Sequence, residues 1–222
     1  MRERSQGFLY GMVEKSESRG RGRPRTFDED EVLDKVIDVF WELGYDASDT
    51  ETLSKRTGLT KPSLYNAFGP KEDLFVAAIN RYRQTRSKAS FDALSNAASP
   101  ADGIGDYFTN LAQNVAAPDR PKGCLILSIA MPLMDRLPKV ATVFESVPKE
   151  NLARMTAYFS EQMEQGNLPR GFDTMAAISL IQDLSAAMIT QARAGAPLDA
   201  LKAKAVRNTD LVLYEGQKRP AD

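Results

Sequence analysis

The stretch GYDASDTETLSKRTGLTKPSLYNAFGPKEDLF, Gly44 to Phe75, decides how this chain folds. Glycines divide it into two segments too short to be stable helices alone, so each must be held by its caps and neighbours. Asp49 or Thr50 can cap the first, which runs to Thr57 and ends at Gly58. Thr60 can cap the second, whose Pro62 lies in the first turn, where the missing amide costs little. It ends at Gly69-Pro70. Leu53, Leu64, Phe68 and Leu74 recur at the spacing of a shared core. Two short helices about a glycine turn form a helix-turn-helix, a unit that reads the DNA major groove with the start of its second helix.

Outward from that unit the periodicity is helical throughout, so the chain reads as all-α. Upstream, Asp28 to Glu31 place negative charge in a first turn, and Leu33, Val36, Ile37, Phe40 and Trp41 follow on one face up to Gly44. Downstream, Lys71 to about Lys88 reads as a fourth helix with Leu74, Phe75, Ala78, Ile79 and Tyr82 inward. A helix over Asp102 to Ala116 precedes a break at Pro118 to Gly123. KGCLILSIAMPL, Lys122 to Leu133, is too short to span a membrane and suits a buried central helix. Pro138 to Gln165 follows, with Pro148 expected to kink or break it. Asp173 to Arg193 and Leu198 to Tyr214 close the chain.

Composition narrows the chemistry. The 222 residues carry a net charge of −1, with 42% hydrophobic and 27% charged side chains, as in ordinary soluble domains. No histidine is present, which removes the commonest general base and metal ligand together. The single cysteine, Cys124, allows no intrachain disulfide, and neither a zinc cluster nor a phosphate loop is found. The expectation is a cytoplasmic protein with no catalytic residues, metal or cofactor, and without a signal peptide or membrane span.

Against that near-neutral background, Arg19 to Arg25 reads RGRGRPR. Glycine and proline make it a poor helix and a mobile arm. Its arginines, Arg21, Arg23 and Arg25 above all, can enter a narrow minor groove in the manner of an AT-hook, and the alternative is a solubilising tail.

The order of segments from Thr26 to Arg83, with Gly-Tyr after the first helix, Thr-Gly-Leu-Thr at the turn and Ser-Leu-Tyr-x-x-Phe-x-x-Lys-x-x-Leu beyond it, resembles the DNA-binding domain of the tetracycline-repressor (TetR) family of bacterial transcriptional regulators. The resemblance implies an arm over 1–25, a helix-turn-helix domain over 26–70, and, over 71–222, a linking helix and a larger effector-binding and dimerisation domain. It places Thr60, Lys61, Pro62, Ser63 and Tyr65 on the recognition helix, and Thr50 and Lys71 at phosphates. Glu51 stands where family members often carry a donor, and Ala67 lacks a ring often found there. Both leave open a helical ligand-binding or scaffold protein with a degenerate DNA-binding domain. Acids outnumber bases between Phe27 and Ser90, which gives the arm a reason to be basic.

The family resemblance further implies a repressor that binds a palindromic double-stranded DNA operator as a homodimer and is released by a small apolar or amphipathic effector. Candidate pocket residues are Phe108, Leu111, Cys124, Ile129, Met131, Met134, Phe144, Met155, Tyr158 and Phe159, a mixture of thioethers and aromatics. The helix from Asp173 is apolar around most of its circumference and needs cover on both sides. Ile181, Leu184, Met188, Leu201 and Val212 are therefore the candidate dimer interface.

Overall fold

The computed structural model describes residues 27–217. Among the described residues the elements are helical, with no strand. In chain order they are α1 (Glu29–Ala47), α2 (Thr50–Thr57), α3 (Lys61–Phe68), α4 (Lys71–Tyr82), α5 (Lys88–Asn96), α6 (Pro100–Ala116), α7 (Pro138–Glu164), α8 (Thr174–Arg193) and α9 (Leu198–Gln217). No described helix is long and apolar enough to cross a membrane.

The Asp28 carboxylate starts α1 by accepting the amides of Asp30 at 2.8 Å and Glu31 at 3.3 Å. The expected stop at Gly44 is a break in the helical backbone, with φ of 79°, after which the chain makes a final turn to Ala47. The inward face of α1 meets α4: Phe40 lies 4.7 Å from Phe75, and Trp41 meets Tyr82 edge-on at 5.2 Å. All four rings are completely buried. Burying an aromatic of this size contributes roughly 1.5–3 kcal/mol, so this seam is a principal source of stability for the N-terminal helices.

The expected end of the fourth helix near Lys88 is not an end. The chain passes from α4 through a π-turn, Arg83–Ser87, directly into α5. KGCLILSIAMPL is also not a regular helix: Leu125–Ala130 forms a second π-turn and Met131–Leu133 a 3-10 turn. Pro132 falls inside that last turn, and the wide turn before it still buries Leu125, Ile126 and Ala130. Gly123 allows this corner with φ of 90°; a side chain there would come within 2.8 Å of Ser128 Oγ. Pro148 neither ends nor interrupts α7.

The second layer centres on α6, which packs on α5, α8 and α9. α1 rests on both α4 and the second π-turn, so the described residues share one continuous core. The boundary expected at residue 70 falls just before Leu74, Phe75, Ala78 and Ile79, which belong to the core under α1; α4 serves both layers.

The candidate interface residues of the last two helices are placed differently from expectation. Met188 is 1% exposed and Leu201 0%, and Ile181 and Val212 are equally enclosed, because these stripes of α8 and α9 pack on each other and on α6. Within one chain they are core. Leu184 alone is partly accessible. The apolar side chains left outside are Met175, at 58% exposure, and Val206, at 70%, with Leu211 and Tyr214 beside them in sequence.

The approach of α5 to α6 depends on Gly103, where an added Cβ would lie 2.7 Å from the Leu94 carbonyl oxygen and 2.6 Å from the Tyr158 hydroxyl. Gly103→Ala should lower stability by about 1–3 kcal/mol. Urea denaturation should show a lower midpoint at unchanged slope; an unchanged midpoint would mean the two helices separate without cost.

Candidate nucleic-acid interface

The helix-turn-helix is built from caps. Asp49 accepts the Thr52 amide at 2.8 Å, and hydrogen bonds from Thr52, the backbone one foremost, hold the Asp49 carboxyl below its usual value. α2 ends at Gly58, with φ of 77°, whose amide donates to the Ser54 carbonyl at 2.9 Å. That left-handed geometry strains any residue with a Cβ, so the tight turn requires glycine. Thr60 caps α3 by accepting the Ser63 amide at 3.3 Å, and its hydroxyl meets Ser63 Oγ at 2.9 Å. Beneath, Leu53, Leu64 and Leu74 are completely buried and lock α2, α3 and α4 together.

This packing turns the start of α3 outward. Thr60, Lys61 and Pro62 are exposed, and Ser63 is half-buried. Tyr65 is not free: its hydroxyl lies 2.5 Å from Thr50 Oγ1, so the two residues expected at DNA are joined across α2 and α3. Lys71 Nζ sits 4.6 Å above the Tyr45 ring and donates to the Asp46 carbonyl at 3.4 Å, and burial pushes its pKa down. Asp46 in turn accepts Arg136 at 2.8 and 2.9 Å. The structure thus adds Tyr45, Asp46 and Arg136 as the support of Lys71. No local pattern could have found Arg136, which is ninety residues from its partner. It also leaves Asn66 exposed one turn beyond Pro62, a position that helical spacing from Pro62 would have singled out. Glu51 is exposed in the first turn of α2. Arg21, Arg23 and Arg25 lie outside the described residues.

The model of bacterial regulatory proteins of the tetR family matches residues 32–78, from α1 into α4. The chain belongs to the TetR family. It is 28% identical over 184 residues to the HTH-type transcriptional repressor ComR of Escherichia coli, covering 82% of this chain and 88% of that protein. It is 32% identical over 129 residues to the HTH-type transcriptional regulator YezE of Bacillus subtilis, covering 58% and 66%. A cysteine-substituted form of the TetR family regulator CifR, complexed with a 26-bp double-strand operator DNA, superposes with a TM-score of 0.71 at 27% identity, covering 85% of this chain and 98% of that one. This TetR-family chain is a DNA-binding transcriptional regulator, and its capped, outward-facing α3 is the part of the fold suited to the groove.

Behind the interface lies a cavity of about 500 Å³ between the two π-turns, α5, α6, α7 and α8. Of the expected pocket residues, Leu111, Cys124, Met131, Phe144 and Met155 line it. Phe108, Ile129, Met134, Tyr158 and Phe159 do not. Phe108 and Phe159 are completely buried in the core, where Phe159 packs on Tyr158 and stacks on Phe172. Helical spacing marks a residue as inward without saying whether it meets a neighbour or a void. Tyr107, Val115, Ile126 and Val147 complete the apolar wall. Cys124 is held as a thiol: burial pushes its pKa up, and the Tyr82 hydroxyl donates to its sulfur at 3.6 Å.

Lys61 is exposed in the first turn of α3 and outside the core, so Lys61→Ala should weaken DNA binding without changing helicity. If its ammonium neutralises one phosphate, the slope of log K against log salt should become shallower by about 0.9. Anisotropy titrations on a selected DNA fragment at several salt concentrations measure this; an unchanged affinity and slope would remove Lys61 from the interface.

Proposed function

We propose that this regulator binds a palindromic operator as a homodimer, α3 in the major groove and the arm over 1–25 in the flanking minor groove, and that a small apolar or amphipathic molecule entering the cavity releases it. The observation that carries the DNA-binding mode is the exposed first turn of α3, with its cap, its lysine and its hydroxyls presented together. The acidic excess of the N-terminal helices does not oppose this reading. Asp30, Asp34, Asp38 and Glu42 of α1 are matched by Arg81, Arg86 and Arg56. The degenerate-domain alternative is not favoured, since every cap and core residue of the helix-turn-helix is in place.

The walls support an uncharged effector body. The three cations that line the cavity each have a partner already: Arg83 pairs with Glu150, Lys88 with Asp92, and Arg154 lies 4.5 Å over the Phe91 ring and 3.6 Å from Asp92. A ligand carboxylate would have to displace one of these pairs, whereas an apolar body fills the space directly. Selection of DNA fragments by the purified protein tests the central claim; recovery of no common inverted repeat would defeat it.

The dimer is proposed to form through the outward faces of α8 and α9. Val206→Asp should then dissociate the dimer into folded monomers, because an unpaired charge at a symmetric contact is desolvated twice. Met188→Asp, placed in the protomer's own core, should instead unfold the chain. Sedimentation velocity with circular dichroism separates the two, and a wild-type-like dimer from Val206→Asp would move the interface elsewhere.

Deleting residues 1–25 should lower operator affinity and make the salt slope shallower by about two units if two or three arginines engage phosphates. Preference for A·T-rich flanks should fall as well. Equal slopes and flank preference in the two proteins would leave the segment a solubilising tail.

A further inference from the structure

The end of α4 and the π-turn Arg83–Ser87 lie where the cavity meets the DNA-binding helices, and the two sides of this segment face different things. Arg83 and Ser87 line the cavity. Arg81 and Arg86 face α1. Arg81 reaches Asp34 with Nε at 3.1 Å and Nη2 at 3.0 Å, and Asp30 with Nη1 at 2.8 Å. Arg86 Nη2 donates to Asp38 at 2.9 Å, and its guanidinium lies 5.4 Å over the Trp41 ring.

The two arginines lie five positions apart in the sequence. On a regular α-helix they would point about 140° apart, and one of them would leave α1. A wider turn closing i→i+5 hydrogen bonds brings residues five apart into line. The acceptors on α1 repeat at the α-helical spacing, Asp30, Asp34 and Asp38, so the donors can match them only while the wide turn exists. Like charges four residues apart repel along α1, and the arginines relieve that repulsion.

We propose that this π-turn is a two-register switch between the cavity and α1. In the wide register Arg86 holds Asp38 and Trp41, and α1 is fixed in the pose that presents α3 to DNA. A body that fills the cavity and packs against the wall formed by Arg83 and Ser87 lets the segment relax to an ordinary α-helix, which rotates Arg86 off Asp38 and frees α1. The inference rests on the reading of the cavity as the effector site, and it adds the element that transmits its occupancy.

The test uses the full chain without an identified effector. Deleting Gln84, which is exposed, converts the turn to an α-helix while leaving Arg81 and Arg86 four apart and still aligned, so it keeps the pairs and removes the second register. Hydrogen exchange of the amides over 84–88 should be about tenfold or more faster than over 75–80 in the wild type, faster still in Arg86→Ala, and slow in the deletion variant. Leu111→Trp, which fills the cavity from the α6 wall, should lower operator affinity about tenfold in the wild-type background and leave it unchanged in the deletion variant. Turn amides as protected as those of α4, no effect of Arg86→Ala on them, or an equal loss of affinity in both backgrounds would overturn the switch. Should the deletion variant fail to fold, the wild type and Arg86→Ala still decide through exchange. A wild type that selects no DNA counts against the regulator reading instead, and the exchange comparison still judges the turn.

Discussion

The contact between α1 and α4 is the constraint on which the rest of the molecule depends. Its apolar half is the tilted contact of Phe40 with Phe75 and the edge of Trp41 against Tyr82; its polar half is the row of aspartates answered by Arg81 and Arg86. The apolar half supplies stability. Partly exposed ion pairs contribute little to it, but they fix how far along and around α4 the helix α1 can sit. Since α2 packs on α1, and α3 packs on α2 and α4, the direction of α3 is set at this seam.

The same seam borders the cavity. Tyr82 meets Trp41 with its ring, donates its hydroxyl to Cys124, and accepts a hydrogen bond from Asn114 at 3.2 Å; Cys124 and Asn114 both line the cavity. Burial holds the Tyr82 hydroxyl well above its usual pKa, so it stays a neutral donor. A single buried residue therefore touches the wall of the cavity on one side and the DNA-binding helices on the other. Dense packing of this kind has few intermediate arrangements, so a change at the cavity wall near Tyr82 bears on the position of α1.

Much of the local architecture was legible. Asp49, Gly58, Thr60 and Gly69 mark the ends of α2 and α3 because caps act over three or four residues, within the reach of a sequence pattern. The departures have a common cause. A helix apolar around most of its circumference can bury its bulkiest stripe within its own chain, as α8 does with Ile181 and Met188, and sequence alone cannot tell an own-chain cover from a partner's. Likewise Phe159 and Met155 share α7 and are both apolar, yet of the two only Met155 lines the cavity.

The sequence by itself determined the helical class, the helix-turn-helix with its exposed Thr60-Lys61-Pro62 turn, and the absence of histidine chemistry, since each follows from residue type at short range. Tertiary structure alone decided the two π-turns, the Thr50 to Tyr65 contact, the support of Lys71 by Tyr45 and Arg136, and which apolar side chains line the cavity. The physical reason is the range of the interactions. Caps and periodicity are settled between neighbours in sequence, whereas a register that adds one residue to a helical turn is stable only when side chains far apart in the chain, here those of Arg86 and Asp38, meet across two helices.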